Sequence, residues 1–196
     1  MRSGILPNKE GTPYTIPVLR FPRSPTSEPR WVMESRAIAA ALEQEYPSPS
    51  LHLDSPILPK VEALMKIITP ALSPVFLPRV PRDILNERSI YYFRKTREEK
   101  FSMPLDELEK SEKGGENAWE NAAPHLSELA ELLKENGGPF FKGGTASYAD
   151  FIVVGFFQFL KRLSYDGDLF DRAMQIDPSF LVLYKACAEW LKRDDH

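Results

Sequence analysis

The chain has 196 residues, 42% hydrophobic and 27% charged, an ordinary globular composition that excludes a wholly disordered chain. At this length about 70% of the unfolded surface can be buried, so no disulfide or metal staple is required. The net charge is -3 with both signs mixed along the sequence, which argues against nucleic acid or an anionic membrane as a partner, and a single cysteine excludes an internal disulfide and a Cys-rich zinc site.

One cysteine fits a reducing compartment, and a cytoplasmic location is the expectation. The opening residues, Met1 to Pro7, hold no apolar stretch long enough for a signal peptide, and no apolar run reaches the roughly 18 residues of a membrane span. Many of the 18 prolines fall between Pro7 and Pro81, which predicts short elements and kinked helices there.

Residues 1–13 are polar and Gly/Pro-rich. Residues 14–19 read as a strand with Pro17 inside it, which confines the strand to an edge or to a special turn. A loop over 22–30 leads to a second strand, Trp31-Val32-Met33, paired with the first as a hairpin. A helix follows over 34–46, with Ile38, Ala41, Leu42 and Tyr46 at helical spacing and Pro47 as its stop. Residues 47–56 form a Pro/Ser-rich linker.

Everything beyond the linker reads as helical. A helix over 59–77 carries Pro59 in its first turn, with Pro70 and Pro74 expected to kink or break its end. Others are expected over 83–101 and over 116–136, the latter with Trp119, Ala122, Leu126, Leu129 and Leu133 on one face and Gly137 past its end. Residues 148–163 should form a buried central helix. The last helix takes Asp177 as N-cap and Pro178 as its first residue and runs to Lys192. Two strands and a helix followed by five or more helices argue for an α+β fold or for two domains, divided here as 1–50 and 51–196.

Three constellations carry chemistry. In Thr15-Ile16-Pro17-Val18-Leu19, a cis bond before Pro17 would turn the Ile16 backbone outward to pair with a ligand's own peptide groups; the bland alternative is a plain edge strand. In Met33-Glu34-Ser35-Arg36, a helix N-terminus carries a carboxylate and a hydroxyl. Ser35 would bind a ligand carboxylate and Glu34 a ligand ammonium, and the alternative is ordinary helix capping. In Ser147-Tyr148-Ala149-Asp150, a capping box is the favoured reading, with Asp150 structural and not a general base.

Other candidates carry less. Cys187 shares a helix face with Leu183, Tyr184 and Leu191, as a buried inert thiol does. His52, His125 and His196 show no metal-ligand spacing, and the run from Arg94 to Lys100 alternates in sign like a solvated helix face.

Taken in order, the Ile16-Pro17 strand, the Glu34-Ser35 turn and the helical half with its Ser147-to-Asp150 box resemble glutathione transferases. The stretch from Asn86 to Phe101 and Ser147-Tyr148-Ala149-Asp150-Phe151 resemble the fungal, etherase-type branch. The resemblance implies an incomplete thioredoxin-like portion (β-β-α) followed by an all-helical domain. It implies that Ile16 and Pro17 meet the cysteinyl part of glutathione and that Glu34 and Ser35 hold its γ-glutamyl end, with Ser147 and Asp150 the structural capping box. It also implies an apolar pocket for a small hydrophobic co-substrate, partly walled by the helical half, and a homodimer; no metal is expected.

Family members carry a β-α-β unit before the proline-containing strand, and the residue that lowers the thiol pKa of glutathione lies within it. Such a unit needs about 30 residues or more, yet only thirteen precede Tyr14, so no residue here matches the activating one and the catalytic group is unassigned. The leading function is glutathione transfer to, or glutathione-assisted cleavage of, a small apolar electrophile. A non-catalytic helical binding or interaction module is the second reading, and a specialised biosynthetic enzyme acting on one metabolite is the third.

Overall fold

Proline sets where the first strand can begin. The computed structural model describes residues 5–8, 13–21 and 30–192, so most of the loop expected over 22–30, and His196, lie outside the described residues. The chain divides into two compact units, Met1–Asp54 and Ser55–His196.

In the first unit the peptide bond between Ile16 and Pro17 is cis, and strand β1 (Val18–Arg20) starts only after it. Pro17 has no N–H to give to a ladder, so the strand expected from Tyr14 is shorter than hydrophobicity alone suggests. It pairs antiparallel with β2 (Trp31–Met33) in the register Val18 to Met33, Leu19 to Val32 and Arg20 to Trp31. The Phe21 N–H adds one more bond, to the Arg30 carbonyl at 2.8 Å.

Helix α1 (Ser35–Glu45) follows β2 after one residue, burying Ala39 and Ala41. Tyr46, expected on the apolar face, is 61% exposed, because the helix ends one residue before it. The segment after α1 is folded back on it by Glu43, whose carboxylate accepts from Ser50 Oγ at 2.5 Å and from the Leu51 N–H at 2.6 Å. Arg36 Nη2 adds a bond to the Leu53 carbonyl at 3.2 Å.

The second unit is helical. Helix α2 (Ile57–Phe76) buries Val61, Leu64, Met65, Ile68, Leu72 and Val75 as one stripe, packed on α5 (Gly115–Lys134) and α6 (Tyr148–Leu163). It runs unbroken through Pro70 and Pro74. Pro74 cannot donate to the Pro70 carbonyl, and Ser73 Oγ does so in its place at 2.7 Å. Packing on two neighbours outweighs the lost backbone bonds.

The helix expected over 83–101 is two pieces, α3 (Val80–Asp83) and α4 (Glu87–Phe101). Asn86 divides them: its side chain accepts from the Ser89 N–H at 3.2 Å and starts α4 afresh. Helix α4 buries no side chain fully. A 3-10 segment, Leu105–Lys110, then seats Leu105 and Leu108 in the core. In α5, all five residues of the predicted face are buried, and Gly137 past the end has φ +63°.

Helix α6 is amphipathic rather than buried all round, with Val153, Val154, Phe157, Leu160 and Leu163 inward and Gly155, Lys161 and Arg162 exposed. Helix α7 (Phe170–Ile176) carries too short a pattern to be read from sequence. Helix α8 (Pro178–Ala186) starts with Asp177 accepting from the Ser179 N–H at 2.9 Å, and a 3-10 segment, Ala188–Leu191, replaces its expected last turn.

Candidate functional site

The turn from β2 into α1 is held in a conformation that L residues avoid. Glu34 has φ +73° and ψ +123°, a region that costs a non-glycine residue on the order of 1–3 kcal/mol and persists only where the surroundings enforce it. Two side chains hold its carboxylate. Thr15 Oγ1–H donates to Glu34 Oε1 in a short hydrogen bond, and Asn8 Nδ2–H donates to the same oxygen at 2.8 Å. The Thr15 N–H also reaches Met33 Sδ at 3.1 Å, and Met33 is buried behind the turn.

These bonds bring the Thr15-Ile16-Pro17 segment against the Glu34-Ser35 turn. The resulting face is open: Ile16 is 92% exposed, and Pro17, Glu34 and Ser35 are exposed as well. The helical ladder of α1 begins with the Ile38 N–H on the Glu34 carbonyl at 2.9 Å, so the Ser35 N–H stands outside it at the positive end of the helix. The hydrogen bond from Thr15 first, and that from Asn8 second, hold the Glu34 carboxyl below its ordinary value, so it stays a carboxylate in mildly acidic solution. The face therefore combines a fixed anion, an N-terminal helix end with a hydroxyl, and an exposed extended backbone.

Ser147 and Asp150 belong to the second unit and form a reciprocal capping box at the start of α6. Asp150 Oδ2 accepts from the Ser147 N–H and from Ser147 Oγ, both at 2.7 Å, while Oδ1 accepts from the Phe141 N–H at 2.8 Å. Asp150 is fully buried; burial pushes its carboxyl up, against the hydrogen bonds that favour the charged form. Every acceptor bond is spent on backbone or on Ser147, which suits a scaffold role and leaves nothing facing solvent. Cys187 is also fully buried, and burial, then the charge of Asp150, push its thiol up to about 12.

Asn8 was not visible as a site residue in the sequence, and Thr15 was read only as the start of the Ile16-Pro17 constellation. They lie 26 and 19 positions from Glu34, so only the fold reveals that both meet its carboxylate. A groove of about 560 Å³ lies on the helical unit, lined by Ala63, Leu64 and Ile67 of α2, by Leu132 of α5, and by charged side chains that include Glu128 and Glu131. Among the described residues, no group of three or more His, Cys, Asp or Glu side chains could hold a metal ion, and no helix is long and apolar enough to cross a membrane.

Comparison with known proteins agrees with this architecture. Residues 61–190 match the family described as glutathione S-transferase, C-terminal domain. The glutathione S-transferase-like protein ustS of Aspergillus flavus is 31% identical over 205 aligned positions, covering 95% of this chain and 71% of that protein. A glutathione S-transferase of Ceriporiopsis subvermispora, solved in complex with glutathione, superposes with a TM-score of 0.75 at 27% identity, covering 98% of this chain and 79% of its own. The fold is shared by a glutathione transferase of Phanerochaete chrysosporium at a TM-score of 0.78 and 24% identity, covering 98% of this chain and 78% of that one.

Proposed function

The chain belongs to the glutathione S-transferase family, and we propose that it binds glutathione at the turn from β2 into α1 and uses it to conjugate, or to cleave, a small apolar electrophile. In this reading residues 1–50 act as a thioredoxin-like glutathione-binding portion and 51–196 as the helical domain. The Glu34 carboxylate takes the ammonium of the γ-glutamyl group. The Ser35 hydroxyl and N–H take its carboxylate, at the helix end that favours an anion. The exposed backbone at Ile16, ahead of Pro17, pairs with the cysteinyl peptide groups as a neighbouring strand would. The proposed working form is a cytoplasmic homodimer.

The observation that supports this reading most is the pair of hydrogen bonds that close Asn8 and Thr15 onto Glu34, because they set a carboxylate beside an open strand-like backbone. A γ-glutamyl tripeptide carries the matching groups: an ammonium, a carboxylate and peptide N–H and C=O. Calorimetric titration with glutathione tests it. Glu34→Ala and Ser35→Ala should each weaken binding by about tenfold, roughly 1.4 kcal/mol. No binding heat from the unaltered protein overturns the reading.

The groove on the helical unit favours a second reading, a module that holds a hydrophobic ligand without chemistry. Here Ile67→Asp should abolish binding of an apolar fluorescent dye, while glutathione gives no heat with any variant.

A further inference from the structure

Resting on the glutathione reading above, we propose that Asn8 and Thr15 are positioning residues that fix one oxygen of Glu34 and thereby aim the other at the ligand ammonium. The two donors converge on Oε1, and among the described residues Oε2 accepts no hydrogen bond. An exposed glutamate otherwise samples many rotamers and loses that freedom on binding a ligand. Here the freedom is already gone. The carboxylate is tethered from two sides, one tether being the Thr15 hydroxyl, whose own N–H is anchored on the buried Met33 sulfur. Ligand binding then meets a preorganised acceptor, and the cost of ordering it falls on folding instead.

The same arrangement assigns the Thr15 hydroxyl. Its only proton is committed to Glu34, so Thr15 does not donate to a ligand thiol, although it is a hydroxyl residue just ahead of the strand. Thr15, Asn8 and the slight burial of the group are what act on the Glu34 carboxyl; no charged side chain among the described residues contributes. The hydrogen bonds favour the anion, so removing one should let the carboxyl protonate at a higher pH.

Three variants decide the matter: Thr15→Val, which keeps the shape without the hydroxyl, Thr15→Ser, which restores it, and Asn8→Ala. Two readouts are taken on the full chain, glutathione affinity by calorimetry against pH and the Glu34 carboxyl titration by carbon-detected NMR. Thr15→Val should weaken glutathione by roughly three- to tenfold and move both the acid limb of binding and the carboxyl titration to higher pH. Thr15→Ser should recover both, and Asn8→Ala should shift both in the same direction by less. The proposal is overturned if the unaltered protein binds glutathione and Thr15→Val changes neither affinity nor titration. A carboxyl shift in Thr15→Val without any glutathione binding by the unaltered protein overturns the site reading and the ammonium role together, and leaves only a structural tether.

Discussion

Arg79 and Asp168 meet as a two-pronged ion pair: Nη1–H donates to Oδ1 at 2.9 Å and Nη2 lies 2.7 Å from Oδ2, across 89 positions of sequence. The same guanidinium reaches Glu109 at 3.1 Å and the Leu163 carbonyl at 3.1 Å, with its Cζ 4.5 Å from the Tyr165 ring centroid. Arg79 follows the end of α2 and is buried, so it ties that end to the 3-10 segment 105–110 and to the loop between α6 and α7.

Replacing Arg79 should therefore be costly. Arg79→Ala removes the buried fork and is expected to destabilise the chain by about 3 kcal/mol in urea denaturation. Arg79→Lys keeps the charge but cannot reproduce the planar fork, and should recover less than half of that. Asp168→Asn should cost only about 1 kcal/mol, because the Asp168 side chain is 42% exposed and water can screen the loss. Equal stability of Arg79→Ala and the unaltered protein would contradict this account.

The capping box should behave as a scaffold. Asp150→Ala strands the Phe141 and Ser147 N–H groups in the core and should cost about 2–4 kcal/mol. Ser147→Ala, which leaves both backbone bonds to Asp150 in place, should cost nearer 1 kcal/mol. Glutathione affinity of the folded fraction should not change in either variant, and a calorimetric titration beside the melt checks both statements.

Asp150 and Asp177 should oppose each other in the acid titration of stability. Asp177 loses some solvation by burial, but hydrogen bonds from Ser179 and from Lys134 outweigh it and hold its carboxyl below the ordinary value. The unfolded chain then takes up the Asp177 proton first, so its contribution is present above 3.8 and lost as pH falls through the lowered value. Asp150 has the reverse sign: its carboxyl is raised by burial, so its contribution is present below 3.8 and lost as pH rises through the raised value. Denaturation curves between about pH 2 and 7 should show Asp177→Asn flattening the acid loss and Asp150→Asn removing the opposing slope.

Cys187 should be silent to thiol reagents in the native state. With its thiol pushed up to about 12 and no solvent exposure, it holds essentially no thiolate near neutrality. Disulfide-exchange reagents should label one thiol per chain in denaturant and react in native buffer no faster than the protein unfolds. Fast native labelling would show the site to be open.

Two glycines should fail for different reasons. A Cβ on Gly114 would stand 2.2 Å from the Glu109 carbonyl oxygen and 2.5 Å from that of Leu108, so Gly114→Ala must displace backbone at the start of α5. That should cost about 1–3 kcal/mol or more. At Gly137 nothing lies within 4 Å, and the penalty of Gly137→Ala is the φ of +63° alone, about 1 kcal/mol. Thermal melts of the two variants separate the cases.

Local devices were legible in the chain. Pro17 ahead of a strand, Asp177-Pro178 at a helix start, Ser147 three residues before Asp150, and the apolar stripe of α5 each act within a few residues, where sterics and orphaned backbone groups dictate the outcome. Misjudged features had other causes. Asn86 divides residues 83–101 because its amide competes for a backbone N–H, whereas the apolar pattern on either side is continuous. Pro70 and Pro74, expected to kink or break the end of α2, do not break it, because Ser73 and the packing against α5 and α6 compensate, which no window of sequence displays.

By itself the sequence determined the hairpin-then-helices order, the caps at Ser147 and Asp177 and the family to which the chain belongs, since these follow from periodicity and from short motifs read in succession. Tertiary structure alone decided that Asn8 and Thr15 converge on one oxygen of Glu34, and that Arg79 gathers Glu109, Leu163 and Asp168. Such meetings join groups 19 to 89 positions apart, and their partners are chosen by how the backbone packs rather than by any neighbour in the chain.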